Sequence, residues 1–192
     1  MKNIRTKTLK CELDRVIRSA DGIYIAMLPY VNMSYDGIHE NPLHPLQATK
    51  IVELSFMNII SAWEEFVQEV FLRYMIGGTS ESGYSPSLRI GQCQNLSHAL
   101  ELISGKEGFD PSMDYLNWSN WPKVISKAKI FFEKAEPFSL LTENQKQLLK
   151  ETVVLRNRVA HSSKKCKQAF TSLARKYLGL MANESLPRGF SV

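Results

Sequence analysis

The chain has 192 residues, 44% apolar and 22% charged, an ordinary globular composition that excludes a largely disordered protein. No apolar run approaches the ~20 residues needed to cross a bilayer, and no apolar segment or cleavage-like site follows the basic stretch 1–10, so a cytoplasmic protein without a membrane span is expected. The net charge of +5 is uneven: beyond Leu155, Arg156, Arg158, Lys164, Lys165, Lys167, Arg175, Lys176 and Arg188 face Glu184 alone, leaving that segment at +7 and the rest of the chain at −2.

In chain order, residues 8–28 repeat Leu9, Leu13, Val16, Ile17, Ala20, Ile23 and Tyr24 at helical spacing, and Pro29 opens an irregular connection through Pro45. A long helix over 46–76 stops at Gly77-Gly78. Its broad stripe of Ile51, Leu54, Met57, Ile60, Trp63, Phe66, Val67, Val70, Phe71 and Tyr74 predicts a central helix packed on several sides. A polar loop over 79–94 leads to a short helix capped by Asn95 or Ser97 and ended by Gly105. After the Asp110-Pro111 loop, 121–134 reads as a helix with Pro122 in its first turn, broken by Pro137. Thr142 with Gln145 forms a capping box for a helix running to about His161. Ser162-Ser163 interrupts it, and 164–178 forms the last helix before Gly179. No stretch alternates over strand length and no repeat is present. The expected fold is a single all-α domain over 1–192, five or six helices around two long ones.

The three cysteines, Cys11, Cys93 and Cys166, are far apart and form no CxxC pair, so they suggest neither a disulfide framework nor a zinc site. Glu53 and Glu64 lie eleven apart, nearly in line on the second helix. No His/Asp set at ligand spacing accompanies them, so no metal or other cofactor is expected, and Arg156 or Arg158 is the obvious partner for such a carboxylate. His39 and His44 in a Pro-rich loop and His98 in a short helix read as ordinary histidines. Trp63 reads as core, and Trp118 and Trp121, in a polar setting that would also allow base stacking, read first as packing residues too.

On a wheel of 100° per residue, the helix from Thr142 places Leu148, Thr152, Leu155 and Val159 on one stripe, the expected core face. Opposite fall Val153, Val154, Asn157, Ala160 and His161, of which three are apolar. Either this helix is buried all round, or its second face meets another subunit. In a two-fold dimer on that face each His161 would approach its twin.

Arginine and histidine suffice for one reaction, cleavage of RNA by its own 2′-hydroxyl. Histidine moves the proton because its ordinary pKa lies near working pH. A guanidinium forks onto the phosphate and stabilises the charge of the transition state. Arg156 and His161 are the candidate catalytic pair, with Asn157 orienting the imidazole or contacting phosphate. Arg158, Lys164, Lys165 and Lys167 are the candidate RNA-binding cations. The same residues also fit a helix end at which cations favour the dipole.

The run Arg156-Asn157-Arg158-Val159-Ala160-His161 resembles the Arg-(polar)-x3-His signature of the HEPN superfamily, at the matching place near the end of the penultimate helix. The run Ser61-Ala62-Trp63-Glu64-Glu65-Phe66-Val67-Gln68-Glu69-Val70-Phe71 is similar to the acidic-aromatic core of the second helix in the RiboL-PSP-type HEPN branch. Leu186-Pro187-Arg188-Gly189-Phe190 is similar to that branch's C-terminal tail. The resemblance implies an up-and-down helical bundle, a homodimer with the motif at the subunit cleft, and metal-independent endoribonuclease activity. It further implies a toxin–antitoxin or antiviral setting with an antitoxin or partner defence protein, with Arg156, Asn157 and His161 as the active residues. Some members are inactive scaffolds, which leaves a non-catalytic module binding RNA or a protein as the alternative. Ser162-Ser163-Lys164 stands where HEPN toxins paired with a nucleotidyltransferase carry a tyrosine, so that mode of neutralisation is not implied.

Overall fold

The computed structural model describes residues 6–31 and 43–186. His39, Arg188 and all but the first residue of the 186–190 tail motif lie outside them. The described residues form six α-helices and two 3-10 turns, with no strand: an all-α protein. The chain divides into two compact units, Met1–Leu140 and Leu141–Val192.

The first unit holds α1 (Lys7–Val31), α2 (Pro45–Met75), α3 (Leu96–Ser104), α4 (Trp121–Phe131) and the 3-10 turns Glu133–Ala135 and Phe138–Leu140. Helix α1 runs three residues further than expected, through Pro29 to Val31. Proline cannot donate to the carbonyl four residues back, but so near a helix end that loss is small and the chain keeps helical geometry to its last turn. Helix α2 begins at Pro45, whose fixed φ suits a first position. His44 is its cap: the Leu46 N–H donates to His44 Nδ1 at 3.2 Å, and the His44 N–H donates to Gln47 Oε1 at 3.3 Å. Asn95, rather than Ser97, caps α3, and Gly105 ends it at φ 68°, a left-handed position that favours glycine.

Helix α4 stops at Phe131, short of the expected 134. Phe132 is extended because tertiary bonds claim its surroundings. The Arg89 N–H donates to the Phe131 carbonyl at 2.9 Å and the Glu133 N–H to the Ser87 carbonyl at 2.9 Å. The ring of Phe132 then lies 4.9 Å from Phe71, which is wholly buried. Phe138 is also 4.9 Å from Phe71, and Trp118 is 5.2 Å away. This aromatic cluster is the core of the unit, and edge and offset ring contacts add to the burial of its carbon. Trp118 and Trp121 are both buried, so neither offers a face to a base. Trp118 donates its indole N–H to Gln68 Oε1 at 2.7 Å. Trp63 is half-buried, stacked 5.8 Å from Phe66.

Helix α2 is central only over its second half. Val67, Val70, Phe71, Leu72, Tyr74 and Met75 are buried there, whereas its first half packs against α1 and leaves Leu54 of the expected stripe 60% exposed. Glu53 pairs with Lys50 at 3.1 Å and Glu64 accepts the Tyr115 hydroxyl at 2.7 Å, so both carboxylates find partners inside this unit. His98 accepts the Gln94 N–H at 3.4 Å, as part of the turn before α3.

The second unit is a helical hairpin, α5 (Glu143–Ala160) and α6 (Lys164–Leu178). The capping box at Thr142 and Gln145 is present, and Gly179 ends α6 at φ 67°. The stripe expected to be core on α5 is not buried: Leu148 is 58% exposed, and Thr152, Leu155 and Val159 are half-covered. The buried side chain of α5 is Glu151. No helix of the described residues is long and apolar enough to cross a membrane.

Candidate active site

Helix α5 carries its motif in its last turn. The 100° rotation per residue sends Arg156 and Arg158 to different sides of the helix. Both are half-buried, and the Nε of each is covered with no hydrogen-bond partner. Arg156 Nη1 donates to Asn157 Oδ1 at 3.4 Å, a long bond between chain neighbours. Asn157 therefore turns its side chain to Arg156, and its carbonyl accepts the His161 N–H at 2.9 Å. Arg158 points to α6, its guanidinium carbon 6.0 Å from the Phe170 ring centre.

His161 lies just past the helix rather than inside it. It is the C-cap, with φ −140° and ψ 135°, and its side chain is exposed. A wheel that continues α5 through 161 therefore misplaces this imidazole, because extended dihedrals redirect its Cβ. Among the described residues no hydrogen bond reaches the His161 ring, and none joins it to Arg156. Val153 and Val154, expected at a subunit contact, are half-covered within the chain, while Ala160 is exposed.

Three residues further, Ser163 caps α6 by accepting the Cys166 N–H at 3.3 Å. Lys164 and Lys165 are exposed and Lys167 is half-covered, all in the opening turn, where no acidic residue stands. Positive charge is disfavoured at a helix N-terminus, where the macrodipole is itself positive. The arrangement is therefore a concentration of uncompensated cationic potential beside His161.

The polar centre of the hairpin was not among the residues singled out from sequence. Glu151 accepts hydrogen bonds from Gln147 Nε2 at 2.9 Å, from Lys176 Nζ, and from the Tyr177 hydroxyl at 2.6 Å. These donors, Gln147 first and then Lys176 and Tyr177, hold its carboxyl at about 2, well below 4.5, and outweigh the opposing effect of desolvation. Its hydrogen bond in turn raises the pKa of Lys176 and of Tyr177. The visible signal was limited to Gln147 and Glu151 being four apart beside the apolar stripe. The α6 partners lie 25 and 26 residues away.

Glu151 also matters to the arginines, because it is unavailable to them. The second unit has three carboxylates. Glu143 pairs with Lys146 at 2.7 Å, Glu151 is held as described, and Glu184 accepts the Met181 N–H at 2.5 Å. Arg156 and Arg158 thus keep half-buried guanidiniums without a carboxylate from their own hairpin. An orphaned buried donor costs free energy that an incoming anion would recover. Among the described residues, no group of three or more His, Cys, Asp or Glu side chains is placed to hold a metal ion. The chain matches no family model, no curated protein and no solved structure.

Proposed function

We propose that the end of α5 and the start of α6 bind RNA phosphate, and that Arg156 and His161 cleave the strand by attack of its own 2′-hydroxyl. The observation that carries this reading is the part-buried Arg156 guanidinium left without a carboxylate, in the last turn of a helix that leads directly into an exposed imidazole and three lysines. Phosphate is the anion whose geometry suits a guanidinium fork, and a polyanion is the ligand that relieves clustered positive charge. His161 would take the 2′-hydroxyl proton or give one to the leaving 5′-oxygen, and Arg156 would stabilise the phosphorane charge. Asn157 positions Arg156 rather than the imidazole, in keeping with its hydrogen bond. The likeness to HEPN proteins supports the same chemistry, and it rests on the residues of the motif. In the two-copy form that likeness implies, each chain contributes one Arg156–His161 pair to a shared cleft.

One observation favours binding without cleavage. Among the described residues the His161 ring has no hydrogen-bond partner to fix its tautomer or direction, as a catalytic imidazole ordinarily has. Incubating the purified chain with total RNA in EDTA separates the two. Cleavage to 2′,3′-cyclic phosphate and 5′-hydroxyl ends is expected, with 2′-deoxy substitution at the cut site blocking it. Salt-sensitive binding of intact RNA would leave the binding module, and 5′-phosphate ends or a need for metal would end the proposal.

A further inference from the structure

Helix α1 packs against the first half of α2, and on one flank the two enclose a cavity of about 350 Å³. Ile17, Ala20 and Tyr24 form its α1 wall, and Val52, Phe56 and Ile59 its α2 wall. Each set is spread over seven residues, so each wall runs two turns, about 10 Å. Ala20 is buried between the walls and contributes only a methyl group, which leaves the space open. Tyr24 and Val52 stay 47% and 42% exposed at its mouth. Small-molecule sites occupy about 300–1,000 Å³ and combine apolar walls with a few polar groups, so this cavity has room for one small ligand.

We infer that the cavity binds one apolar α-amino acid as its zwitterion, with the side chain between the walls, the ammonium on Asp21 and the carboxylate on Arg18. Charge selects that occupant. Asp21 is four residues from Ile17 and three from Tyr24, on the cavity side of α1, and Arg18 stands about one turn before it at the same rim. Opposite charges three apart are neighbours on a helix surface, yet these two do not bridge each other. Among the described residues the Asp21 carboxylate has no hydrogen bond or ion pair, and Arg18 donates only through Nε, to the Asp14 carbonyl at 3.3 Å. The α2 wall offers the Ser55 hydroxyl and no charge.

Other occupants leave one of the two charges opposed or unused. An alkyl carboxylate brings its anion to Asp21, and an alkylamine brings its cation to Arg18. A docked polypeptide would need two side chains of its own placed opposite the pair, and a helix about 10 Å across would lie over the cavity rather than in it. An α-amino acid carries both charges on one carbon, within reach of neighbouring side chains, and each contact is a charge-assisted hydrogen bond. The rings of Tyr24 and Phe56 favour an aromatic or large aliphatic side chain over a small one. The inference concerns the first unit alone and holds whether or not RNA is cleaved or chains associate.

Titration calorimetry of the full chain tests it with three probes: L-phenylalanine, phenethylamine, which lacks the carboxylate, and 3-phenylpropionate, which lacks the ammonium. L-Phenylalanine is expected to bind saturably, about tenfold more tightly than either truncated probe. Arg18→Gln should weaken L-phenylalanine to the level of phenethylamine while phenethylamine itself binds no more weakly. Asp21→Asn should weaken L-phenylalanine and phenethylamine but not 3-phenylpropionate. Both residues are exposed, and a loss of folding would weaken all three probes alike, so it cannot imitate this crossed pattern. Absence of saturable L-phenylalanine binding at about 20 mM overturns the inference. Equal affinities for the three probes overturn it too, leaving a groove that takes any apolar body. Variants that keep the wild-type affinities put the site elsewhere and overturn it equally.

Discussion

Phe71 and Glu151 hold comparable places in the two units, each buried where its helix packs, yet one is ringed by aromatic carbon and the other by hydrogen-bond donors. Around Phe71 the attraction is non-directional and grows with area removed from water. Around Glu151 it depends on three donors being in place, and it changes with pH. The first unit can therefore tolerate changes in surface charge, whereas the second couples its packing to its electrostatics. The second unit's polar groups also divide into two sets: Glu151, Lys176 and Tyr177 satisfy one another, while Arg156, Arg158 and His161 have no carboxylate partner among the described residues.

The largest effect expected from that division is functional. Either His161→Ala or Arg156→Ala should lower RNA cleavage by about 10²–10⁴-fold, the range for removing general acid–base or electrostatic assistance, with unfolding by urea unaltered. Cleavage at wild-type rates by either variant would erase the distinction between the two polar sets. For the aromatic centre, Phe71→Ala should cost about 3–5 kcal/mol in urea denaturation, because a large ring leaves a cavity that its neighbours cannot fill. A loss below about 1 kcal/mol would mean that the cluster is not the core of its unit.

Glu151→Gln should have a smaller effect, confined to the hairpin: faster amide exchange in α5 and α6, with the first unit unchanged. Wild type should show the same loosening in acid. The folded carboxyl titrates at about 2 against an ordinary 4.5, so its contribution is complete above 4.5 and is lost as pH falls through about 2. Hairpin exchange that ignores pH between 5 and 2, or an equal acid response in Glu151→Gln, would contradict this. The smallest effect belongs to Leu148→Ala, expected within about 0.5 kcal/mol because the side chain is already exposed. A core-sized loss there would restore the stripe expected from the wheel.

What could be read along the chain was local. Thr142 with Gln145, Asn95, Gly105 and Gly179 mark helix ends because each cap is made between residues a few places apart, and the structure has all of them. The all-α class follows from the same signals, since six helical patterns and no alternating stretch leave little else. The cationic segment after Leu155 was equally legible, because charge is a property of composition. Tertiary structure decided the rest. It ended α4 at Phe131 because loop amides compete for its last carbonyls, and it left Leu54 and Leu148 exposed because a wheel shows a face but not its cover. It buried Trp118 and Trp121 under aromatic neighbours distant in sequence, and it gave Glu151 partners on another helix. It also set His161 beyond the last turn of α5, since a helix end is fixed where the backbone finds other dihedrals, and one residue's change of φ and ψ re-aims the side chain.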